Sequence, residues 1–197
     1  MRFILVRHGE TFFNKIGLVQ GWVDSALTDQ GIKQAYLTKK KLENIHIDRC
    51  FTSSSERAVD TVEIILENRD IEITREKRLK EINFGDFEGT SDKVFVTLNS
   101  MEPDKLEKGF KAFDGEDKTD LIKREVECID EYEKLYPNET ILIGGHGVSL
   151  KELILYLTGD EIYKFDPNFK WLGNADVVII EGDHLNYHIV EYNKGNK

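Results

Sequence analysis

The sequence predicts an α/β fold: a single three-layer domain in which helices cover both faces of a mostly parallel central sheet. Short apolar runs typical of buried strands alternate along the chain with amphipathic segments of helical period. The 197 residues contain three prolines and show neither an internal repeat nor a flexible linker. We therefore expect one domain over residues 1–197, because a chain of this length fills one hydrophobic core.

Six short runs have the length and composition of strands, and polar or turn residues bound each of them. They are residues 3–6, 48–52, 71–74, 140–143, 175–180 and 185–192. The last two would form a hairpin that turns over residues 181–183. Between the third and fourth runs, residues 89–118 lack a clear period, so we expect a small cap of loops and helical turns over a site.

Four helices are predicted from capping residues and helical periodicity. Thr28 and Ser54 are candidate N-caps of the first two helices. The third helix covers residues 119–136 and is ended by Pro137. The fourth begins at residue 148 and is ended by Gly159. The side chains expected on the buried faces of the first three helices are Ile32, Ala35, Tyr36 and Leu42; Ala58, Val62 and Ile65; and Ile122, Val126, Ile129 and Tyr136.

The composition is that of an acidic globular protein, since 27 Lys and Arg against 37 Asp and Glu leave a formal net charge of −10. Such a chain repels nucleic acid and anionic membranes, so we expect neither as a partner. Cys50 and Cys128 provide no disulfide framework and suit a reducing compartment. The apolar start is too short for a signal or membrane segment. We therefore expect a cytoplasmic protein, and nothing in the sequence indicates its oligomeric state.

Two of the predicted strands lead directly into a histidine. The first strand ends in Arg-His-Gly at residues 7–9, and the fourth ends in Gly-Gly-His-Gly at residues 144–147. Because ligands bind beyond the carboxyl ends of strands in open α/β sheets, neighbouring strands would bring His8 and His146 to one edge. A helix follows His146, and its free N–H groups favour an anion.

Arg57 adds a second cation of the same kind as Arg7. If Ser54 caps the second helix, Arg57 lies in its first turn, where a cation is unfavourable unless an anion compensates it. Two histidines, two arginines and helix N-termini make a pocket suited to a phosphoryl group, because all of them can bind phosphate oxygens.

Metal binding is the main alternative use of these histidines. No closely spaced third ligand stands beside His8 or His146, and flanking arginines would repel a cation, so we expect no metal. His184 and His188 are four residues apart on one face of the last predicted strand. We expect these two to be exposed or to pack, with a zinc site as the less favoured alternative.

Other signatures of phosphate chemistry are missing from the sequence. There is no GxxxxGK[ST] loop for nucleotide phosphates. Six residues without a glycine separate Cys50 from Arg57, and Cys50 falls in a predicted strand. We therefore expect Cys50 to be a small buried side chain and not a nucleophile.

Five segments carry most of these features: LVRHGETFFN, QGWVDSALTDQGIKQA, TSSSERAVDT, LKEINFGDFEG and GGHGVSLKEL. In this order they resemble the motifs of the histidine phosphatase superfamily, on its phosphoglycerate-mutase-like branch. The resemblance spans nearly the whole chain, and five motifs in order are far more specific than any one of them.

The resemblance implies catalysis through a phosphohistidine intermediate, with no cofactor and no metal. His8 would be the nucleophile, and Glu81 would protonate the leaving oxygen and then help to activate water. From its residue type alone, Glu81 would more simply be the ion-pair partner of an arginine. The residues that would hold the phosphoryl group or lie near the substrate are Arg7, Asn14, Gln20, Gly21, Arg57, His146 and Gly147.

The sequence favours an acid-type phosphatase acting on small phosphorylated metabolites. Mutases that resemble this branch are longer and carry an arginine pair after the glutamate motif, whereas residues 88–118 contain no arginine. A short, partly open cap would also admit water to the phosphoenzyme. Two alternatives stay open: a phosphoglycerate mutase, and a non-catalytic sensor of a phosphorylated ligand on the same fold.

Overall fold

Six strands form one sheet in the computed structural model, which describes residues 1–101 and 109–194. They are β1 (Arg2–Arg7), β2 (Arg49–Ser53), β3 (Ile73–Glu76), β4 (Thr140–Gly145), β5 (Val177–Asp183) and β6 (Asn186–Asn193). Their order across the sheet is β3-β2-β4-β1-β5-β6. The first four strands pair in parallel, and β5 pairs antiparallel with both β1 and β6. The predicted mostly parallel α/β sheet is confirmed.

The helices alternate with the strands as predicted. They are α1 (Phe12–Ile16), α2 (Asp29–Lys41), α3 (Glu56–Leu66), α4 (Asp92–Met101), α5 (Lys118–Leu135), α6 (Gly147–Thr158) and α7 (Ile162–Phe165). The four predicted helices correspond to α2, α3, α5 and α6, with small shifts at their ends. None of the helices in the described ranges is long and apolar enough to cross a bilayer.

Both faces of the sheet are buried, and β1 shows why its sequence is continuously apolar. Phe3 and Leu5 belong to a core on one face, which side chains of α5 and α6 complete. Ile4 and Val6 belong to a second core on the opposite face, which α3 and the residue after α2 complete. Because successive side chains of a strand point to opposite faces, a strand between two helical layers must be apolar throughout.

The buried face of α2 differs from the prediction. Ile32 and Tyr36 are 38% and 47% exposed, so the prediction that they are buried was wrong. Polar side chains take part of that face because they satisfy buried backbone groups. Oε1 of Gln34 accepts from the N–H of Glu10 at 2.9 Å, and the Thr38 hydroxyl donates to a backbone carbonyl at 3.0 Å. Thr28 caps the helix as predicted, by accepting from the N–H of residue 31.

The start of α3 also differs by one residue. Its N-cap is Ser55 and not Ser54, because β2 extends through Ser53 and the helix begins correspondingly later. Arg57 still lies in the first helical turn, as expected.

The final hairpin turns at a different place from the prediction. β5 continues through Asp183, and the turn is formed by His184 and Leu185 at φ angles of +50° and +57°. Neither residue type signals a turn in which two consecutive φ angles are positive, since asparagine and glycine are usual there. His184 therefore lies in the turn and His188 in β6, and the prediction that they share one face of a strand was wrong.

The predicted cap contains α4 and a short 3₁₀ turn, Lys111–Phe113, while residues 102–108 of the cap lie outside the described residues. Beneath it is a third, smaller core made of Val19, Ile82, Phe87, Phe110 and Leu121. This core connects the cap to the loop that follows β3, and that loop carries Glu81. The cap is therefore packed next to the edge of the sheet at which β1 and β4 end.

Candidate active site

The strand register brings the two predicted histidines together. Parallel pairing of β1 with β4 aligns Arg7 with Gly145, so His8 and His146 each follow by one residue. Their ring centroids are 5.3 Å apart and both side chains are buried. The N–H of His8 also donates to the carbonyl of Gly145 at 3.0 Å. The two imidazoles thus meet at the carboxyl edge of the sheet.

The His8 ring is held in one tautomer. Its Nδ1 lies 2.8 Å from the carbonyl oxygen of Gly9. Because a carbonyl only accepts, Nδ1 carries the proton and Nε2 keeps its lone pair. Burial, Arg57 and Arg7 together lower the pKa of His8 well below its usual value. His8 is therefore a neutral imidazole with a free Nε2, which is the form that can attack phosphorus.

His146 is fully buried, and Nε2 lies 2.7 Å from Oγ of Ser53. The same hydroxyl oxygen accepts from the N–H of Ser55 at 3.2 Å. Nδ1 of His146 has no hydrogen-bond partner within the described part of the chain. Burial, followed by Arg57 and His8, lowers the pKa of His146 well below its usual value.

Arg57 is fully buried, and an anion does compensate it. Its guanidinium donates to Oδ1 of Asp24 at 2.8 Å and to the carbonyls of Gly21 and Val23. Oδ2 of Asp24 accepts from the N–H of Glu56 at 2.6 Å, at the start of α3. Asp24 therefore provides the charge that an arginine in a first helical turn requires. Sequence reasoning missed Asp24 because it is 33 residues away from Arg57 and no spacing rule connects them.

Arg7 lies at the end of β1, and its guanidinium donates to the carbonyl of Leu172. Burial lowers the pKa of Arg7, while the negative charges of Glu81 and Asp176 oppose that shift. A Cβ atom at Gly147 would lie 3.2 Å from Cζ of Arg7, so a side chain there would crowd the guanidinium. Gly147 thus allows the first turn of α6 to approach Arg7.

Asn14 lies in α1 and has a fixed amide orientation. Its Oδ1 accepts from the N–H of Thr11 at 3.3 Å and from Nδ2 of Asn174 at 3.0 Å. Nδ2 of Asn174 also lies 3.3 Å from the carbonyl of His8. With its oxygen occupied, Asn14 presents its NH₂ group as a donor. Asn174 was not predicted, since it lies between α7 and β5 in a segment without a chemical motif.

Gln20 and Gly21, both predicted to lie near the substrate, have different surroundings in the structure. Gln20 lines the cavity described below, and its Oε1 accepts from the Thr11 hydroxyl at 2.7 Å. Gly21 is not among the cavity-lining residues. Its carbonyl accepts from Arg57 at 2.8 Å and its N–H donates to Glu88 at 3.1 Å, so it connects Arg57 to the surrounding loop.

Glu81 is buried at the N-terminus of α6. One carboxylate oxygen accepts from the N–H groups of Ile82 and Ser149 at 2.9 and 2.8 Å, and the other accepts from Val148 at 2.9 Å. The N–H groups at this helix N-terminus, predicted to bind a phosphoryl group, therefore bind the side chain of Glu81 instead. Among the described residues, the Glu81 carboxylate contacts these N–H groups. Arg124 donates to the backbone carbonyl of Glu81 and not to its carboxylate.

A cavity of about 450 Å³ lies over these groups. The candidate site residues that line it are Arg7, His8, Asn14, Gln20, Glu81 and Gly147. The rest of its lining is apolar, from Val19, Ile82, Phe84, Phe110, Val148 and Trp171, or charged, from Asp92, Lys118, Lys151 and Glu152. Arg57 and His146 are fully buried next to His8 and do not line the cavity.

The residues considered for other chemistry do not form sites. Cys50 is buried in β2, and burial raises the pKa of its thiol to about 12. His184 and His188 are exposed on the last hairpin. Within residues 1–101 and 109–194, no three side chains of His, Cys, Asp or Glu are grouped so that they could hold a metal ion.

The chain is similar to known proteins over almost its full length. Residues 3–195 match the histidine phosphatase superfamily (branch 1). A 2,3-bisphosphoglycerate-dependent phosphoglycerate mutase of Treponema denticola is 31% identical over 87% of this chain and 90% of its own. Phosphoserine phosphatase 1 of Hydrogenobacter thermophilus is 30% identical over 84% of this chain and 80% of its own.

Solved structures agree with this relationship. Bacillus stearothermophilus YhfR superposes with a TM-score of 0.82 at 31% identity, covering 96% of this chain and 95% of its own. The family match over residues 3–195 includes His8, Arg57, Glu81 and His146. The chain therefore belongs to the histidine phosphatase superfamily, branch 1.

Proposed function

We propose that the protein is a metal-independent phosphomonoester hydrolase that works through a phosphohistidine at His8. One observation carries this proposal. Three buried nitrogens have no partner in the described residues, namely Nε of Arg7, Nε of Arg57 and Nδ1 of His146, and all three belong to residues adjacent to His8. Buried donors without acceptors are costly, and the oxygens of a phosphoryl group would satisfy them.

The hydrogen bond of His146 with Ser53 leaves Nδ1 of His146 able to donate to a phosphoryl oxygen. The Ser53 hydroxyl already accepts from Ser55, so its own proton is available to Nε2 of His146. In that arrangement Nδ1 of His146 carries the ring proton and is a donor. The phosphoryl oxygens would then meet two guanidinium groups, an imidazole N–H and the NH₂ of Asn14.

The reaction takes two displacements. Nε2 of His8 forms a bond to phosphorus while the bond to the leaving oxygen breaks, and Glu81, which is protonated in the attacking complex, gives that oxygen its proton. Water then attacks the phosphohistidine, Glu81 takes a proton from the water, and the N–P bond breaks to release phosphate. His8 regains its lone pair. The arginines stabilise the charge on the phosphoryl oxygens in both transition states.

The cavity favours hydrolysis of a small metabolite over isomerisation of a phosphoglycerate. Its volume suits a small molecule, and apolar and aromatic side chains form part of its lining. A mutase must bind the carboxylate of its substrate. Residues 88–118 provide no arginine for this purpose, and apart from Arg7 the cations that line the cavity are Lys118 and Lys151. The named relatives include both reactions, a mutase in Treponema denticola and a phosphatase in Hydrogenobacter thermophilus.

The test is turnover of p-nitrophenyl phosphate in the presence of a chelator, comparing the wild type with His8→Ala. His46→Ala is a matched control because His46 is an exposed loop histidine. We expect turnover by the wild type and the control, and none by His8→Ala. A phosphoglycerate assay follows in parallel. Isomer exchange faster than phosphate release would replace the hydrolase with a mutase, and inactivity in both assays would favour the sensor.

A further inference from the structure

Glu125 is a buried carboxyl group that the mechanism above does not use. It lies in the middle of α5, its side chain has no solvent exposure, and neither carboxyl oxygen has a hydrogen-bond partner among the described residues. Oγ of Ser149, in the first turn of α6, is equally buried and unpartnered. The two side chains are close enough to interact where α5 packs against α6, although no hydrogen bond joins them in the structure.

The charged groups around Glu125 do not neutralise it. Arg124 is the neighbouring cation, but its guanidinium is bound to Glu116 at 2.7 and 2.8 Å and to two backbone carbonyls. Glu81 and Glu116 are acidic like Glu125 and provide no positive charge, and Cys128 on the same helix is an uncharged thiol. An ionised Glu125 would thus be a buried charge without a counter-ion, which is among the most unfavourable arrangements in a protein.

Burial and the neighbouring carboxylates therefore raise the pKa of Glu125 well above its usual value. A neutral carboxyl group has an O–H donor, and the nearby hydroxyl of Ser149, which has no partner in the described residues, can accept from it. The same hydroxyl opposes the shift, because it lowers the pKa of Glu125 by donating to the ionised form. Ser149 also holds the catalytic acid, because its backbone N–H donates to Oε1 of Glu81 at 2.8 Å. A connection thus runs from the interior of α5 to the proposed proton donor.

We propose that Glu125 is a positioning residue, a buried carboxylic acid that keeps its proton, hydrogen-bonds the Ser149 hydroxyl and thereby fixes the N–H groups that hold Glu81. Glu125 does not touch the substrate. Its effect on catalysis rests on the proposed role of Glu81 as the acid, whereas its protonation state does not depend on any activity.

The first experiment measures protonation through stability. In the unfolded chain Glu125 ionises near its ordinary pKa, so the wild type must take up a proton to fold at higher pH. Glu125→Gln removes this requirement. Its folding equilibrium constant relative to wild type should rise about tenfold per pH unit above pH 5, as measured by urea unfolding. Glu127→Gln, an exposed position on α5, should show no such rise. A difference that is flat between pH 5 and 7 would overturn the proposal.

The second experiment compares two substrates with different leaving groups, to test whether Glu125 positions Glu81. Nitrophenolate leaves without much help, whereas an alkoxide needs the acid. In Glu125→Leu and Ser149→Ala, kcat for glycerol 2-phosphate should fall at least about tenfold more than kcat for p-nitrophenyl phosphate. Glu125→Gln should retain the wild-type ratio, since its amide can still donate to Ser149. An equal loss on both substrates would show a merely structural role. If the wild type hydrolyses neither ester, the proposed function fails while the stability experiment still tests the protonation of Glu125.

Discussion

Nδ2 of Asn174 donates to Oδ1 of Asn14 at 3.0 Å, although 160 residues separate the two side chains in the sequence. This bond decides which end of the Asn14 amide is available, because the oxygen is occupied by Asn174 and by the N–H of Thr11. The NH₂ group is left to donate. A segment without catalytic side chains of its own thereby sets the orientation of a predicted phosphate ligand.

Replacing Asn174 should therefore weaken phosphate binding without unfolding the protein. In Asn174→Ala the Asn14 amide is free to rotate, and we expect kcat/KM for p-nitrophenyl phosphate to fall about tenfold, the size of one lost hydrogen bond to a charged group. Asn44→Ala, in an exposed loop, is the control. An Asn174→Ala enzyme with unchanged kcat/KM would mean that Asn14 does not need this partner.

The ion pair between Asp24 and Arg57 should matter for stability as well as for binding. Asp24→Asn leaves a fully buried guanidinium without its counter-ion, although the Asp24 side chain is 28% exposed and solvent can partly compensate. We expect a loss of about 2 kcal/mol in the free energy of unfolding, measured in urea, together with weaker inhibition by vanadate.

The exposed pair of Glu56 and Arg75 provides the contrast, since its charged atoms are 3.9 Å apart and both side chains are mostly exposed. Glu56→Gln should change stability by less than about 0.5 kcal/mol. Equal losses in Asp24→Asn and Glu56→Gln would contradict the importance of burial for the Asp24 pair.

The two buried histidines, His8 and His146, should make the fold sensitive to acid. Burial, reinforced by the arginines, depresses the pKa of His8 and of His146 in the folded protein, so below pH 6.5 the unfolded chain binds protons that the folded protein does not. Stability contributed by the neutral ring is present above the unfolded pKa and is lost as the pH falls below it. His146→Gln should gain about 1.4 kcal/mol relative to wild type per pH unit between pH 6.5 and 5. Urea unfolding at three pH values checks this, and a constant difference would contradict it.

The close contact of the loop after β1 with α2 predicts a large effect at Gly31. A Cβ atom there would lie 2.1 Å from the carbonyl oxygen of Glu10, which is backbone and cannot move aside cheaply. We expect Gly31→Ala to lower the free energy of unfolding by about 2 kcal/mol despite the better helix propensity of alanine. Gln30→Ala, exposed on the same helix, should be nearly neutral. Thermal unfolding of both variants gives the comparison, and a stable Gly31→Ala would show that the loop can shift.

Much of the site follows from local sequence signals. Apolar runs that end in Arg-His-Gly and Gly-Gly-His-Gly predict two strands with histidines at the same edge, and the β1–β4 register confirms that they meet. The position of Arg57 in a first helical turn predicts a compensating anion. Its identity, Asp24, could not be predicted, because the partner comes from a loop whose path depends on the folded structure.

The errors have the same origin. Ile32 and Tyr36 fit an apolar helical stripe, but α2 buries Gln34 and Thr38 instead because backbone groups of other segments need hydrogen-bond partners there. The hairpin turn at His184 and Leu185 has positive φ angles that no local residue preference indicates. In each case a long-range contact accompanies the departure from the local pattern, and at the turn the N–H of Leu185 donates to Oε1 of Glu133 at 3.3 Å.

Local patterns in the sequence are enough to predict the alternation of strands and helices, the two histidines at the strand ends and the resemblance of five motifs to one family. These features are local, since periodicity and the order of residues along a strand do not depend on distant contacts. Packing establishes that Glu81 binds at the N-terminus of α6, that Asp24 and Asn174 hold Arg57 and Asn14, and that Glu125 is buried without a partner in the described residues. Those relationships join residues far apart in the chain, and hydrogen bonds and burial exist only once the elements have packed.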